Sequence, residues 1–208
     1  NRADVLQRKG HYPAPPGVPA DIPGLEFAGE VVGLGSCASS AARRGWVVGD
    51  RVMGLVAGGA CAEFLVTHGD TLLEVPGDRA GGFGRAPADA EPFVRAAAVP
   101  EVFLTSYDAL IRQMRLAAGE SVLIHAVSSG VGTAAVQVAH SWGARTLGTS
   151  RSAAKLGRAA PLGLDVAIDT SREDFADVAQ RETDGRGVAV VLDLVGGPAL
   201  AGNLKALA

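Results

Sequence analysis

Cysteine is nearly absent from this chain of 208 residues: only Cys37 and Cys61 occur. Two thiols can build neither a disulfide framework nor a four-thiolate zinc site. Charge of one sign is also missing. Nineteen Lys and Arg stand against 22 Asp and Glu, for a net charge of −3 and no basic run, which argues against a dedicated nucleic-acid binder. Long apolar runs are lacking too. The longest, Val188 to Val195, is broken by Asp193 and is too short to cross a bilayer. No signal peptide, internal repeat or low-complexity tail is visible. The expected setting is a reducing, soluble compartment, the cytoplasm.

What the chain does hold is apolar residues at 48% with 20% charged, enough for a sizeable core. Its 28 Gly and 11 Pro cluster in residues 10–35 and 76–92, the texture of turns joining short strands. Between them Phe27-Ala-Gly-Glu-Val-Val-Gly and Cys61-Ala-Glu-Phe-Leu-Val read as strands of a partly open barrel or sandwich. Gly49-Asp50-Arg51-Val52 reads as a tight turn entering another. Residues 81–92 read as a surface insertion or loop.

From Val94 onward the pattern changes. Glu101 to Leu116 has helical apolar spacing and stops at Gly119. Ser121 to Ala126 suits a strand buried on both faces. Val131, Ala134, Ala135, Val138, Ala139 and Trp142 then mark one helical stripe closed by Gly143. Strand-like runs at Arg145 to Thr149 and Val166 to Asp169 flank a helix from Ala153 to Ala160. A further helix, Phe175 to Glu182, leads into the run from Val188 to Asp193. Alternating strands and helices predict a parallel sheet of right-handed crossovers. The expected fold class is therefore α/β, with a β-rich domain over residues 1–93 and a doubly wound Rossmann domain over 94–208.

The turn Val127-Ser-Ser-Gly-Val-Gly lies between a strand and a helix, the context in which a glycine-rich turn indicates a dinucleotide site. Gly130 lets a pyrophosphate approach the backbone, and Gly132 lets helix pack on strand. Ala126, Ser129 and Gly132 stand roughly where the usual pattern carries three glycines, and such a turn can also need glycine for sterics alone. About 20 residues on, NAD-preferring folds place an Asp or Glu against the ribose 2′-hydroxyl. Here that place holds Thr149-Ser150-Arg151, with Lys155 one turn later. A carboxylate would repel a 2′-phosphate, whereas a hydroxyl with two cations would bind it. NADPH is the expected cofactor, against the alternative that Arg151 and Lys155 are solvated helix-start charges.

Asn1-Arg-Ala-Asp…Tyr12-Pro, Pro23-Gly-Leu-Glu-Phe-Ala-Gly, Gly49-Asp-Arg-Val, Ala98-Val-Pro-Glu…Leu104-Thr, Ser129-Gly-Val-Gly-Thr-Ala-Ala and Leu192-Asp-Leu-Val-Gly-Gly occur in one order along the chain. Together they resemble the zinc-free, ζ-crystallin-like quinone oxidoreductases of the medium-chain dehydrogenase/reductase superfamily, p53-inducible quinone reductases included. The resemblance implies a GroES-like catalytic domain followed by a Rossmann domain, both incomplete here. It implies hydride transfer from NADPH to a quinone or similar electron-poor acceptor, achieved largely by positioning. By position, Asn1 and Thr105 are expected near the nicotinamide and Tyr12 at the acceptor. Ser129, Gly130, Val131 and Gly132 are expected at the pyrophosphate, Ser150, Arg151 and Lys155 at the 2′-phosphate, and Leu194 and Val195 flanking the cofactor. A homodimer is expected of the full-length protein, with no nucleic-acid or membrane partner.

Zinc-dependent relatives carry Gly-His-Glu where this chain has Gly24-Leu25-Glu26, so no catalytic metal is expected. His11, His68, His125 and His140 lack ligand spacing, and His125 reads as a satisfied core histidine. Thr170 stands where a Tyr is common, and Cys61, where Tyr or Gln is usual, reads as a small buried hydrophobe. Three alternatives stay open. One is an enone or enoyl reductase of the same superfamily; another is a catalytically idle relative that still binds NADPH. A methyltransferase-like sheet ranks below both, because its usual acid after the second strand is missing.

Overall fold

A computed structural model describes residues 1–19, 21–35, 45–76 and 92–208. The chain divides into two units, Asn1–Glu101 and Val102–Ala208. The expected insertion at 81–92 lies, but for Pro92, outside the described residues.

In the first unit, helix α1 (Arg2–Arg8) precedes three short strands, β1 (Glu26–Glu30), β2 (Arg51–Leu55) and β3 (Leu72–Glu74). They form an antiparallel sheet in the order β1-β2-β3, with Glu26 opposite Leu55 and Val52 opposite Glu74. The turn into β2 forms as its sequence predicts. Gly49 takes a left-handed φ of 95°, and the Asp50 carboxylate reaches back to accept the Val47 amide at 2.8 Å, which closes the turn. Met53, Val75 and Ala96 make a small core, the last from helix α2 (Pro92–Ala96).

The expected strand at Cys61 to Val66 does not form. Gly58 and Gly59 turn the chain back at φ of 158° and 82°. The Ala60 and Cys61 amides then donate to the carbonyls of Gly24 and Pro23, at 3.1 and 2.9 Å. Cys61 is exposed, not the buried hydrophobe expected, and Phe64 and Val66 are exposed with it. The β-branched and aromatic residues of the run suggest a strand, but the paired glycines just before them turn the chain back to Pro23 and Gly24 instead.

The second unit opens within helix α3 (Pro100–Tyr107), which widens into a π-helical stretch at Asp108–Gln113. Four parallel strands follow: β4 (Ser121–Ile124), β5 (Arg145–Ser150), β6 (Val166–Asp169) and β7 (Val190–Leu192). Their order is β6-β5-β4-β7. Between them run α4 (Gly130–Ser141), α5 (Ala153–Ala159) and α6 (Phe175–Glu182), and α7 (Leu200–Ala206) follows β7. Successive side chains of β4 serve opposite cores, as a doubly covered strand requires. Val122 and Ile124 pack with Ala135, Val136, Ala139 and Leu156, while Leu123 packs with Leu147, Ile168, Ala176 and Val188. Trp142, expected on the buried stripe of α4, lies past its last residue and is 45% exposed. No helix of the described residues is long and apolar enough to cross a membrane.

Candidate functional site

Strand β4 is followed in sequence by β5 on one side and in space by β7 on the other. In an open parallel sheet such a reversal leaves a crevice above the carboxyl ends of the strands, where ligands bind. The loops after β4, β5 and β7 rise at that edge, and they carry the predicted cofactor residues of this unit.

The first loop is the glycine turn. Ala126 holds a left-handed φ of 46°, and the Val127 amide donates to the Thr149 carbonyl at 3.0 Å. Ser129 caps helix α4, its hydroxyl accepting the Gly132 amide at 3.0 Å. Gly132 is buried, and a Cβ there would lie 2.6 Å from the Ala126 carbonyl oxygen, so no other residue fits without moving backbone. The Gly130 and Val131 amides donate to no described group. They stand in the first turn of a long helix, where orphan donors and the dipole both favour an anion.

The second loop leaves β5. Ser150 is half-buried and its hydroxyl accepts the Ser152 amide at 3.3 Å, while its carbonyl accepts the Thr170 amide at 3.0 Å. Arg151 and Lys155 are exposed, and neither has an ion-pair partner among the described residues. No carboxylate occupies the end of β5. Two amides on the first loop and two exposed cations on the second fit the pyrophosphate and the 2′-phosphate of a dinucleotide.

The third loop follows β7 and exposes Leu194 and Val195. It is held by Asp193, whose carboxylate accepts the amides of Val195 and Gly196 at 2.8 and 2.9 Å and the Asn203 side-chain amide at 2.9 Å. Burial pushes the Asp193 carboxyl up, but these donors outweigh it and hold it below the usual aspartate range. Thr105 is exposed on α3. Its buried neighbour Ser106 places its hydroxyl 3.1 Å from the Val131 carbonyl, which brings Thr105 to the flank of the glycine turn.

In the first unit, the Asn1 side-chain amide donates to Glu26 Oε1, and the Glu101 amide donates to Oε2 at 3.0 Å. The Asp4 carboxylate accepts the Leu25 amide at 3.2 Å. The carboxyl of Glu101 is pushed up, first by burial and then by the charges of Glu26 and Asp4. Tyr12 follows α1 and is 46% exposed. The described residues of this unit do not form a zinc site. Leu25, buried at 6% exposure, takes the place of an imidazole, and no group of three His, Cys, Asp or Glu among the described residues could hold an ion.

Residues beyond those predicted also shape the crevice edge. Asn203 escapes motif reading, and although Asp193 and Thr149 lie in motifs, their side-chain hydrogen bonds to Asn203 and His125 cannot be read there. His125 reads as a satisfied core histidine, and it is one: 3% exposed, with both ring nitrogens hydrogen-bonded. Glu26 stands in the Gly24-Leu25-Glu26 stretch, where the missing imidazole draws attention away from the carboxylate.

Comparison with known proteins agrees with this architecture. Residues 1–99 match the alcohol dehydrogenase GroES-like domain, and residues 130–208 the zinc-binding dehydrogenase family. The whole chain is 33% identical to a quinone oxidoreductase-like protein 2 homolog of Nematostella vectensis and covers 52% of it. It thus spans about half the length of that curated relative. The structure of mycobacterial Rv1454c complexed with NADPH is similar over the whole chain and 59% of its own length, at 30% identity and a TM-score of 0.80. The CurK enoyl reductase is similar over 100% of this chain and 59% of its own, at 31% identity and a TM-score of 0.78.

Proposed function

Because the chain belongs to the zinc-free quinone oxidoreductase branch of the medium-chain dehydrogenase/reductase superfamily, we propose that the protein is an NADPH-dependent reductase of quinones. The observation that carries the cofactor choice is the end of β5: Ser150, Arg151 and Lys155 with no acid among them and neither cation paired among the described residues. A guanidinium and an ammonium there neutralise a 2′-phosphate, and Ser150 supplies a hydroxyl. The NADPH bound to the similar Rv1454c supports the same choice.

When bound, the dinucleotide supplies the hydride, and the chain's own residues hold it in place. The Gly130 and Val131 amides and the start of α4 take the pyrophosphate. Leu194 and Val195 flank the cofactor with apolar surface, and Thr105 lies at the nicotinamide end. Asn1, its amide fixed by Glu26, and Tyr12 serve the catalytic domain's side of the reaction. A quinone is electron-poor enough to accept hydride with little acid catalysis, so positioning accounts for most of the rate.

A second reading, reduction of an enone or enoyl C=C, is favoured by the likeness to the CurK enoyl reductase. Arg151→Glu tests the cofactor choice. NADPH affinity is expected to fall about tenfold or more, with NADH affinity changed by less than about threefold; equal loss for both contradicts the 2′-phosphate role. A panel of simple quinones and 2-alkenals separates the acceptors, and turnover of alkenals alone overturns the quinone reading.

A further inference from the structure

At the three loops of the crevice, three buried side chains and the exposed Asp193 form one line of hydrogen bonds. The imidazole of His125, immediately before the glycine turn, lies 2.8 Å from Thr149 Oγ through Nδ1 and 2.7 Å from Asn203 Oδ1 through Nε2. The Asn203 side-chain amide donates onward to Asp193 at 2.9 Å, and Asp193 accepts the Val195 and Gly196 amides. His125, Thr149 and Asn203 are each less than 10% exposed, at 3%, 3% and 6%. Phe175 closes the pocket edge-on to the imidazole, ring centroids 4.7 Å apart. A Cβ on Gly202 of α7 would lie 2.4 Å from the Phe175 ring, so that wall is packed without slack.

The donors run in one direction. Because the Asn203 nitrogen is committed to Asp193, its oxygen faces the imidazole as an acceptor, and Nε2 must carry the proton. In the neutral ring Nδ1 is then bare and accepts the Thr149 hydroxyl. Each end of the line adjoins a loop that holds the cofactor. Thr149 precedes Ser150 and Arg151, His125 precedes Ala126 and the glycine turn, and Asp193 precedes Leu194 and Val195. A core histidine needed only for packing would not have to span all three.

We propose that His125 is a positioning residue for the dinucleotide, fixing the loops after β4, β5 and β7 as one preorganised surface through the line Thr149–His125–Asn203–Asp193. This inference rests on the cofactor reading above. Loss of the link lets the three loops move independently, and the bound dinucleotide must then order them, which weakens binding while leaving the hydride step little changed.

The test titrates NADPH and NADH into the full-length protein by nicotinamide fluorescence, with KM and kcat measured in parallel. His125→Phe, which keeps a flat ring and removes both hydrogen bonds, is expected to raise Kd for both cofactors about tenfold. At saturating cofactor, kcat should stay within about twofold of the parent. His125→Gln, which again offers a donor and an acceptor, should recover most of the affinity. Thr149→Val removes one bond at nearly constant volume and should raise Kd about threefold; it decides the matter should the phenylalanine variant not fold. Unchanged Kd in a folded His125→Phe or Thr149→Val overturns the inference, even if Tm falls. A parent protein that binds neither cofactor overturns the cofactor reading and this inference with it, an outcome distinct from a parent that binds and variants that bind equally.

Discussion

Two residues of the glycine turn meet opposite demands. Ala126 adopts φ 46° despite its Cβ, a conformation that costs a non-glycine residue about 1–2 kcal/mol, and the surrounding sheet bonds hold it there. Gly132 has an ordinary backbone but no space: its Cβ would meet the Ala126 oxygen at 2.6 Å and Val127 backbone at 2.8 Å. Gly132→Ala is therefore expected to destabilise the second unit by about 2 kcal/mol or more, and to weaken NADPH binding as α4 shifts away from β4. Thermal unfolding and cofactor titration check both effects, and an unchanged Tm contradicts the packing argument. The need for glycine at 132 is visible in the sequence as a motif. The strain at Ala126 is not, because φ is set by bonds to β5 that are distant along the chain.

At the scale of elements, the second unit is far more legible than the first. Helix α6 occupies Phe175–Glu182 as predicted, because Asp174 starts it unambiguously, its carboxylate accepting the amides of Ala176 at 2.8 Å and Asp177 at 3.1 Å. Asp174→Ala should lower stability by about 1 kcal/mol without altering cofactor preference; an unaffected Tm would show that packing alone holds the helix. Strand β4 is legible because buried parallel strands read as apolar runs, and β5 and β6 because short β-prone runs alternate with helical stretches. In the first unit strands of three to five residues carry little periodicity, and pairing decides which run becomes a strand. Phe27 to Glu30 finds β2 as a partner, whereas Cys61 to Val66, equally suggestive in composition, is turned away by Gly58 and Gly59. The candidate site divides in the same way. Turn and strand-end residues are legible as motifs, while the hydrogen bonds that join Asp193, Asn203 and Thr149 through His125 become visible only when α7 is seen against β4 and β5.

For the whole molecule, the functional account depends on two units with different tasks. One presents Asn1, Glu26 and Tyr12 from a small antiparallel sheet and the helices beside it, and the other presents three loops at the edge of a parallel sheet suited to a dinucleotide. On the cofactor reading proposed above, the discrimination between NADPH and NADH would fall to the local cations at the end of β5. The central claim is that these cations make the protein an NADPH-specific quinone reductase. Its most direct test follows nicotinamide absorbance with NADPH and NADH in parallel, using the full-length protein and a simple para-quinone. Quinone-dependent loss of NADPH is expected, with kcat/KM for NADPH at least about tenfold that for NADH. Equal rates, a preference for NADH, or no quinone-dependent oxidation of either would contradict it.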